Sequence, residues 1–235
     1  RKLSRSAASD LQRVPRRRAA LAGETAAAMA APPAVFLVDA DSRTRHGMQE
    51  VLAAEAYAVR TFADGQSFLR VLNEQTRGCV FVDLDLPAPG GLALVEELQR
   101  RAVPIPVVCV STHGEVDLVV QAIKGGAMDF MIKPVGVATL LSHAREALER
   151  EATLWERACQ RRDYRTRLSR LTSRERQVLT HLLHGESSKH IAAALDISYK
   201  TVDVHRTRIF SKTGYRNQAE LIRASLSLDG ARRSA

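Results

Sequence analysis

The feature of this chain that most constrains its fold is a fivefold alternation of short apolar runs with amphipathic helical stretches between residues 34 and 150. The runs are rich in β-branched residues, and three of them end at Asp or Ser, as is typical of buried parallel strands. Alternation of this kind predicts an α/β doubly wound five-stranded parallel sheet, with the strand order 2-1-3-4-5. The predicted strands are Val35–Asp39, Ala58–Phe62, Cys79–Asp83, Pro106–Ser111 and Met128–Ile132.

The third predicted strand ends at a carboxylate, Asp83, which is followed by a turn rich in Pro and Gly. Open α/β sheets bind their ligands at the carboxyl ends of the strands, near the point where the strand order reverses. The ends of strands one, three, four and five should meet there. The polar side chains expected to converge are Asp39, Asp41, Asp83, Asp85, Ser111, Thr112 and Lys133.

This set of side chains indicates a phosphoryl acceptor. Clustered carboxylates repel one another unless a cation neutralises them, and oxygen ligands of this kind suit Mg²⁺. A carboxylate nucleophile can accept a phosphoryl group while a metal, a lysine and a hydroxyl hold the phosphoryl oxygens. Because no second acid is placed as a general acid beside Asp83, an acceptor is expected and not an enzyme. The plain structural alternative is that Asp83 only ends a strand and caps its loop.

The distribution of charge divides the chain into three segments. Lys and Arg outnumber Asp and Glu by 7 to 2 in residues 1–33 and by 17 to 9 in residues 151–235, whereas residues 34–150 carry 11 basic and 15 acidic side chains. An acidic middle joined to a basic end suggests a regulatory domain linked to a polyanion-binding one, although a solvated basic surface has the same composition. Residues 1–33 lack a sustained apolar period, and a disordered basic tail is expected there.

Cysteine usage and hydropathy point to a cytoplasmic protein without disulfides. Cys79, Cys109 and Cys159 show no metal-ligand spacing, and the first two fall inside predicted strands. No apolar run reaches the length of a membrane-spanning helix, so no membrane partner is expected.

The carboxyl-terminal segment contains four short helical patches, Ser173–His184, Ser188–Leu195, Tyr199–Lys212 and Gln218–Leu226. Helices of this length with short connections predict a small all-α domain. The three residues 196–198 match the corner of a helix-turn-helix.

A long helix is predicted to join the two domains. Apolar residues at spacings of three and four continue through Leu141, Ala144, Leu148, Ala152, Trp155 and Cys159. Two interpretations remain open: a two-stranded seam between protomers, or an amphipathic helix packed on its own domain.

Four motifs of the first domain resemble the receiver domain of bacterial two-component response regulators: Val38-Asp39, Val82-Asp83 through Pro87, Val110-Ser111, and Asp129-Phe130 through Lys133-Pro134. The resemblance covers about residues 34–150. It implies that a sensor histidine kinase phosphorylates Asp83, with Asp39, Asp83 and the carbonyl of Asp85 around Mg²⁺. It also implies that Ser111 and Phe130 are the switch pair and that Lys133 is the phosphate partner.

One position departs from the receiver pattern. The family usually places two consecutive acids after the first strand, and here the second is Ala40. Loss of this ligand should weaken Mg²⁺ binding and slow phosphorylation. Asp41 could substitute if the loop turns it toward the site.

The second domain resembles the LuxR-type helix-turn-helix of the NarL/FixJ regulators over about residues 168–230, in Leu171–Leu179, Lys189–Ala192 and Ser198–Arg206. One apolar side should be buried, leaving polar side chains for a DNA groove. Lys189, Lys200, Thr201 and Arg208 are expected to contact phosphates. The resemblance places Asp203, Val204 and Thr207 at the bases. Arg206 is also expected to be available to the groove, and His205 either contacts DNA or packs within the domain.

These observations predict a transcriptional response regulator in which phosphorylation of Asp83 frees or pairs the DNA-binding domains. The expected partners are double-stranded DNA, a sensor histidine kinase, a second copy of the chain in the active state, and RNA polymerase. The rivals are a phosphorylation-independent receiver with constitutive or partner-gated DNA binding, and an aspartyl-phosphate hydrolase. The predicted segments are a tail (1–33), a receiver domain (34–150), a linker helix (151–167) and a DNA-binding domain (168–230).

Overall fold

The computed structural model describes residues 32–101 and 103–229, with side chains to residue 226. The predicted tail lies outside the described residues except for its last two positions. Five parallel strands form one sheet: β1 (Ala34–Val38), β2 (Val59–Phe62), β3 (Gly78–Asp83), β4 (Val107–Ser111) and β5 (Asp129–Ile132). Their spatial order is β2-β1-β3-β4-β5, which confirms the predicted doubly wound topology.

Helices cover both faces of the sheet, because its strands are apolar on both sides. The first helices are α1 (Ser42–Ala54), α2 (Gly65–Val71), α3 (Gly91–Arg100), α4 (Val116–Lys124) and α5 (Val137–Ser169). One face packs Val35, Leu37 and Phe81 against α1 and α5. The other packs Phe36 and Val82 against α2, α3 and α4.

The long helix α5 belongs to both halves of the chain. At 33 residues it spans about 50 Å, and the predicted boundary at 150/151 lies inside it. Leu140, Ala144 and Ala147 are buried on the sheet. Near its end, Tyr164 and Leu168 pack against the core of the second domain.

The side of α5 that was considered as a seam packs mostly on its own domain. Ala144 and Trp155 are buried and Leu141 and Leu148 contact the receiver core, whereas Ala152 is exposed. This burial favours the second interpretation, an amphipathic helix packed on its own domain, as far as Trp155.

The second domain consists of α6 (Ser173–Leu183), α7 (Ser188–Leu195), α8 (Tyr199–Thr213) and α9 (Gln218–Asp229). Its core joins all four helices through residues that include Val178, Ile191, Val202 and Leu221. A capping box between Thr172 and Glu175 begins α6. Serine side chains cap the starts of α7 and α8, and Asp196, in a left-handed conformation, makes the turn between these two helices. No helix within residues 32–101 and 103–229 combines the length and hydropathy needed to cross a membrane.

Candidate functional site

Two buried carboxylates and one lysine meet at the carboxyl end of the sheet. Asp39 follows β1, Asp83 ends β3, and each is only 4% exposed. The Lys133 ammonium group, just after β5, lies 2.9 Å from Asp39 Oδ2 and 3.0 Å from Asp83 Oδ2. The parallel sheet therefore brings together three of the residues that the sequence placed at this edge.

Backbone amides hold the remaining carboxylate oxygens. The Asp41 amide donates to Asp39 Oδ1 at 2.8 Å, and the Asp85 amide donates to Asp83 Oδ1 at 3.0 Å. Each acid is thus fixed by the residue two positions later in its own loop. The fixed carboxylates face Lys133 with their other oxygens, which gives the site a preset orientation.

Burial and the neighbouring Asp39 charge raise the pKa of the Asp83 carboxyl, although the Asp85 amide and Lys133 act in the opposite direction. Burial also disfavours the charge of Lys133, but hydrogen bonds to the two carboxylates outweigh it and raise the lysine pKa. The lysine therefore stays cationic between the acids. One positive charge shared by two carboxylates leaves room for a further cation or for hydrogen-bond donors at the site.

Asp41 is engaged elsewhere. Its carboxylate caps the start of α1 by accepting from the amides of Arg43 and Thr44 and from the Thr44 hydroxyl. The Thr44 hydroxyl bond is the largest cause of the lowered pKa of this exposed acid. For Asp41 to replace the acid absent at Ala40, as the sequence suggested, it would have to give up this cap.

The Asp85 carboxylate binds the end of β4. It accepts hydrogen bonds from Ser111 Oγ at 2.9 Å and from both the amide and the hydroxyl of Thr112 at 2.8 Å. Burial works against the charge of Asp85, but the bonds from Thr112, Ser111 and His113 hold its pKa at about 2. The sequence placed Asp85, Ser111 and Thr112 at the same edge of the sheet, but it gave only the carbonyl of Asp85 a role and did not specify these hydrogen bonds of the side chain.

The other predicted switch residue, Phe130, is half-buried against the core on the α2–α4 face of the sheet. Its amide donates to Asp129 Oδ1 at 2.8 Å, and Asp129 Oδ2 lies 3.1 Å from His143 Nε2 of α5. Ser111 ends β4, and Phe130 lies in the neighbouring strand β5. Cys109 pairs with Phe130 and Ser111 pairs with Ile132, so the two predicted switch residues are not directly opposite each other.

The oxygen atoms at this edge of the sheet fit Mg²⁺, but they include one carboxylate fewer than receiver domains usually have. Asp39 and Asp83 offer buried carboxylate oxygens, the Asp85 carbonyl would complete the set, and Ala40 offers no side-chain oxygen. Mg²⁺ commonly binds through one or two carboxylates and keeps several waters. Across residues 32–101 and 103–229, no three His, Cys, Asp or Glu side chains converge as a ready metal cluster.

The predicted DNA-binding residues fall into an exposed and an inward-facing group. The exposed side chains lie at the start of α7 and along α8: Lys189, Lys200, Thr201, Val204, Thr207 and Arg208. Val204 is 49% exposed although it is apolar. An exposed apolar residue among cationic and hydroxyl side chains is suited to contact a thymine methyl group in a major groove.

The remaining three predicted DNA-binding residues, Asp203, His205 and Arg206, are partly buried. Asp203 accepts from Ser188 Oγ at 3.2 Å, and Arg206 donates to the same oxygen at 3.2 Å. His205 has its Nδ1 buried without a hydrogen-bond partner among the described residues. These contacts join α8 to α7, so Asp203 and Arg206 have a structural partner as well as a predicted role toward DNA, and His205 packs within its own domain.

An exposed apolar face lies on α4, β5 and the start of α5, at the fourth helix and fifth strand where the sequence suggested the active surface of the receiver. Five large apolar side chains there are 41–76% exposed: Val116, Val120, Ile123, Ile132 and Val137. Their helical spacing in α4 was visible in the sequence, but the same spacing would suit a helix with a buried stripe. Only the fold shows that these residues point to solvent.

Family models match both halves of the chain. The response regulator receiver domain matches residues 35–145, and the bacterial regulatory proteins of the luxR family match residues 169–225. The first match contains Asp39, Asp83, Ser111 and Lys133, and the second contains all of α6, α7 and α8.

Similar proteins match over both domains together. The transcriptional regulatory protein TdiR of Thauera aromatica is 34% identical over 80% of this chain and 83% of its own length. The transcriptional regulatory protein FixJ of Azorhizobium caulinodans is 34% identical over 82% of this chain and 91% of its own. The structure of the response regulator StyR is similar with a TM-score of 0.68 and 33% identity, over 83% of this chain and 98% of StyR.

Proposed function

The chain belongs to the NarL/FixJ family of two-component response regulators, in which a receiver domain is joined to a LuxR-type DNA-binding domain, and on this premise we propose that Asp83 is its phosphoacceptor. The observation that carries the proposal is the buried pair Asp39 and Asp83 with Lys133 between them.

The proposed reaction is transfer from a phosphohistidine of a sensor kinase. A carboxylate oxygen of Asp83 attacks phosphorus, and the new O–P bond forms as the P–N bond breaks. The imidazole nitrogen leaves with the electron pair and takes a proton from solvent. Lys133 is placed to balance the added negative charge, and the Ser111 hydroxyl is the donor available from β4. Mg²⁺, when bound by Asp39, Asp83 and the Asp85 carbonyl, supplies further positive charge to the phosphoryl oxygens.

The DNA-binding role belongs to α8, with α7 supporting it. Lys189, Lys200 and Arg208 provide exposed cations for phosphates, while Val204 and Thr207 are exposed on the helix that the family places in the major groove. Asp203 could accept from cytosine N4 once its bond to Ser188 is exchanged. We propose that this regulator acts in the cytoplasm, where its DNA lies, and that RNA polymerase is a further partner.

The exposed apolar face on α4 and β5 is the proposed contact between two phosphorylated copies. A second copy presents the same face, so a two-fold contact would cover all five apolar side chains on both partners. Pairing two receivers also pairs two recognition helices, which matches a two-fold DNA site. A phosphorylation-independent receiver, which Ala40 suggested, is not favoured by the similarity to known regulators.

The first test is the intact mass of the protein after incubation with Mg²⁺ and acetyl phosphate. The parent should gain one phosphoryl group, and Asp83→Asn should gain none. Asp64→Asn, which changes an exposed acid at the start of α2, serves as the matched control and should behave as the parent. Absence of phosphorylation in the parent, or equal phosphorylation of Asp83→Asn, would refute the assignment of Asp83.

The second test measures affinity for a DNA duplex as a function of salt. Lys200→Ala should weaken binding regardless of sequence and reduce the slope of log K against log salt by about one. The matched control, Lys124→Ala, removes a lysine from α4 and should leave the slope unchanged. Equal slopes for parent and Lys200→Ala would remove this lysine from the DNA interface.

A further inference from the structure

We propose that the Asp85 carboxylate is a positioning residue that holds Ser111 and Thr112 in the unphosphorylated arrangement and competes with the phosphoryl group for the Ser111 hydroxyl. This inference rests on the proposed function, because the competitor is a phosphoryl group on Asp83. It assigns a role to the Asp85 side chain that is separate from that of its carbonyl.

The contacts show how the end of β4 is held. Ser111 Oγ donates to Asp85 Oδ1 at 2.9 Å, while the amide and hydroxyl of Thr112 donate to Asp85 Oδ2 at 2.8 Å. The His113 imidazole lies 3.5 Å from Oδ1, and the His113 amide donates to Ser111 Oγ at 3.0 Å. One carboxylate therefore contacts three consecutive residues, the last residue of β4 and the two that follow it.

The Ser111 hydroxyl cannot donate to Asp85 and to a phosphoryl oxygen at the same time. A serine hydroxyl carries one proton and donates one hydrogen bond. In this structure the proton goes to Asp85, so Ser111 can donate to a phosphoryl oxygen only after it leaves that carboxylate. Because Ser111 is fully buried, water cannot readily replace the lost partner, and the exchange must be direct.

Phosphorylation would also act on Asp85 through charge. A phosphoryl group carries about −1.5 to −2 near neutral pH, and it would form on the residue two positions before Asp85. The new charge attracts the Ser111 proton and repels the Asp85 carboxylate. Both effects favour release of Ser111 and Thr112 from Asp85.

Release would be transmitted to the exposed apolar face. Residues 112–115 connect β4 directly to α4, which carries Val116, Val120 and Ile123. Thr112 is bound to Asp85 by both its amide and its hydroxyl, so the start of this connection cannot move while those bonds persist. Asp85 thus couples the acceptor site to the proposed contact between copies.

The test is the initial rate of phosphorylation by acetyl phosphate and Mg²⁺, followed by intact mass. Asp85→Ala should be phosphorylated about tenfold faster than the parent, since a hydrogen bond to a charged group that opposes the active arrangement is removed. Asp85→Asn, whose amide oxygen can still accept one bond, should be intermediate. The matched control, Asp117→Ala, removes an exposed acid from the first turn of α4 and should match the parent.

A double-mutant cycle separates this role from a general loosening of the loop. If Asp85 acts through Ser111, the gain from Asp85→Ala should vanish in a Ser111→Ala background. A gain of equal size in both backgrounds would overturn the proposal, as would identical rates for the parent and Asp85→Ala. If no variant, the parent included, gains a phosphoryl group, the proposed function itself fails and this inference falls with it, which is a different outcome from equal rates.

Discussion

At the scale of single residues, the main feature of the acidic edge of the sheet is that two carboxylates contact Lys133. Asp39 and Asp83 point at its ammonium group, Asp41 is turned to cap α1, and Ala40 adds no side-chain oxygen. Since Mg²⁺ affinity depends on the number and charge of oxygen ligands, the residue at position 40 should control how readily the site binds the metal.

We therefore expect Ala40→Asp to lower the Mg²⁺ concentration needed for half-maximal phosphorylation rate, by about tenfold for one added carboxylate ligand. The rate would be measured with acetyl phosphate over a range of Mg²⁺ concentrations. Ala53→Asp is the matched control, because it adds the same charge at the far, exposed end of α1. No change in the Mg²⁺ dependence of Ala40→Asp would show that position 40 does not limit metal binding here.

A second residue-scale prediction concerns Gly91, the first residue of α3. A Cβ at this position would lie 2.1 Å from the Asp83 carbonyl oxygen and 2.5 Å from Leu84 Cα. Both are backbone atoms, so Gly91→Ala must displace the loop that carries Asp83. We expect a loss of about 1–3 kcal/mol in the free energy of unfolding, together with slower phosphorylation.

Urea unfolding checks the prediction, with Gly47→Ala as the control. A Cβ at Gly47, inside α1, would meet nothing within 4 Å, so this change should stabilise the protein by up to about 1 kcal/mol. The steric argument fails if the two alanine variants have the same stability.

At the scale of elements, α5 is fixed to the sheet domain by an ion pair as well as by apolar packing. Glu151 is 1% exposed and binds Arg77 through two hydrogen bonds of 3.0 Å. The Arg77 guanidinium also lies 5.0 Å from the centre of the Trp155 ring. This cluster holds the middle of α5 beside the loop before β3.

Because a buried charge that loses its partner is costly, Arg77→Met should lower the free energy of unfolding by about 3 kcal/mol. Glu151→Gln should cost less, since Arg77 can reach solvent from its partly exposed position. Urea unfolding of both variants, beside the exposed-site control Glu149→Gln, measures these differences. Equal stability of Arg77→Met and Glu149→Gln would show that the ion pair does not secure α5.

At the scale of the whole molecule, the proposed control of DNA binding would act through a change at Asp83 that alters how two copies meet. The acceptor site lies at the end of β3 and β4, and the exposed apolar face begins one short loop later on α4. The long helix α5 begins beside this face and ends in the core of the DNA-binding domain. The proposed contact between receivers would therefore influence the spacing of the two DNA-binding domains.

We expect Ile123→Lys to weaken dimerisation of the phosphorylated protein by about tenfold, because it places a charge in the middle of the apolar contact. Sedimentation of the phosphorylated protein measures the dimer constant. Gln121→Lys adds the same charge to an exposed position of the same helix outside the apolar set and should dimerise normally. If Ile123→Lys dimerises as well as Gln121→Lys, the face on α4 and β5 is not the contact.

Much of this molecule could be predicted from local pattern alone. The runs ending at Asp39, Asp83 and Ser111 are buried parallel strands in the predicted order, because period and composition carry strand and helix signals directly. The same reasoning brought Lys133 to Asp83, since the carboxyl ends of parallel strands share one edge. The sequence also predicted the helices of the second domain, because their capping residues and the glycines that end them are local signals.

Local pattern could not predict which of several nearby partners a side chain binds. The sequence by itself determined the two domains, the sheet order and the acids at its edge, because these follow from periodicity and topology. Only the tertiary structure decided that Asp85 binds Ser111 and Thr112, that α5 packs on its own domain, and that Val120 and Ile123 face solvent. These outcomes depend on distances between residues far apart in the chain, and local propensity does not contain such distances.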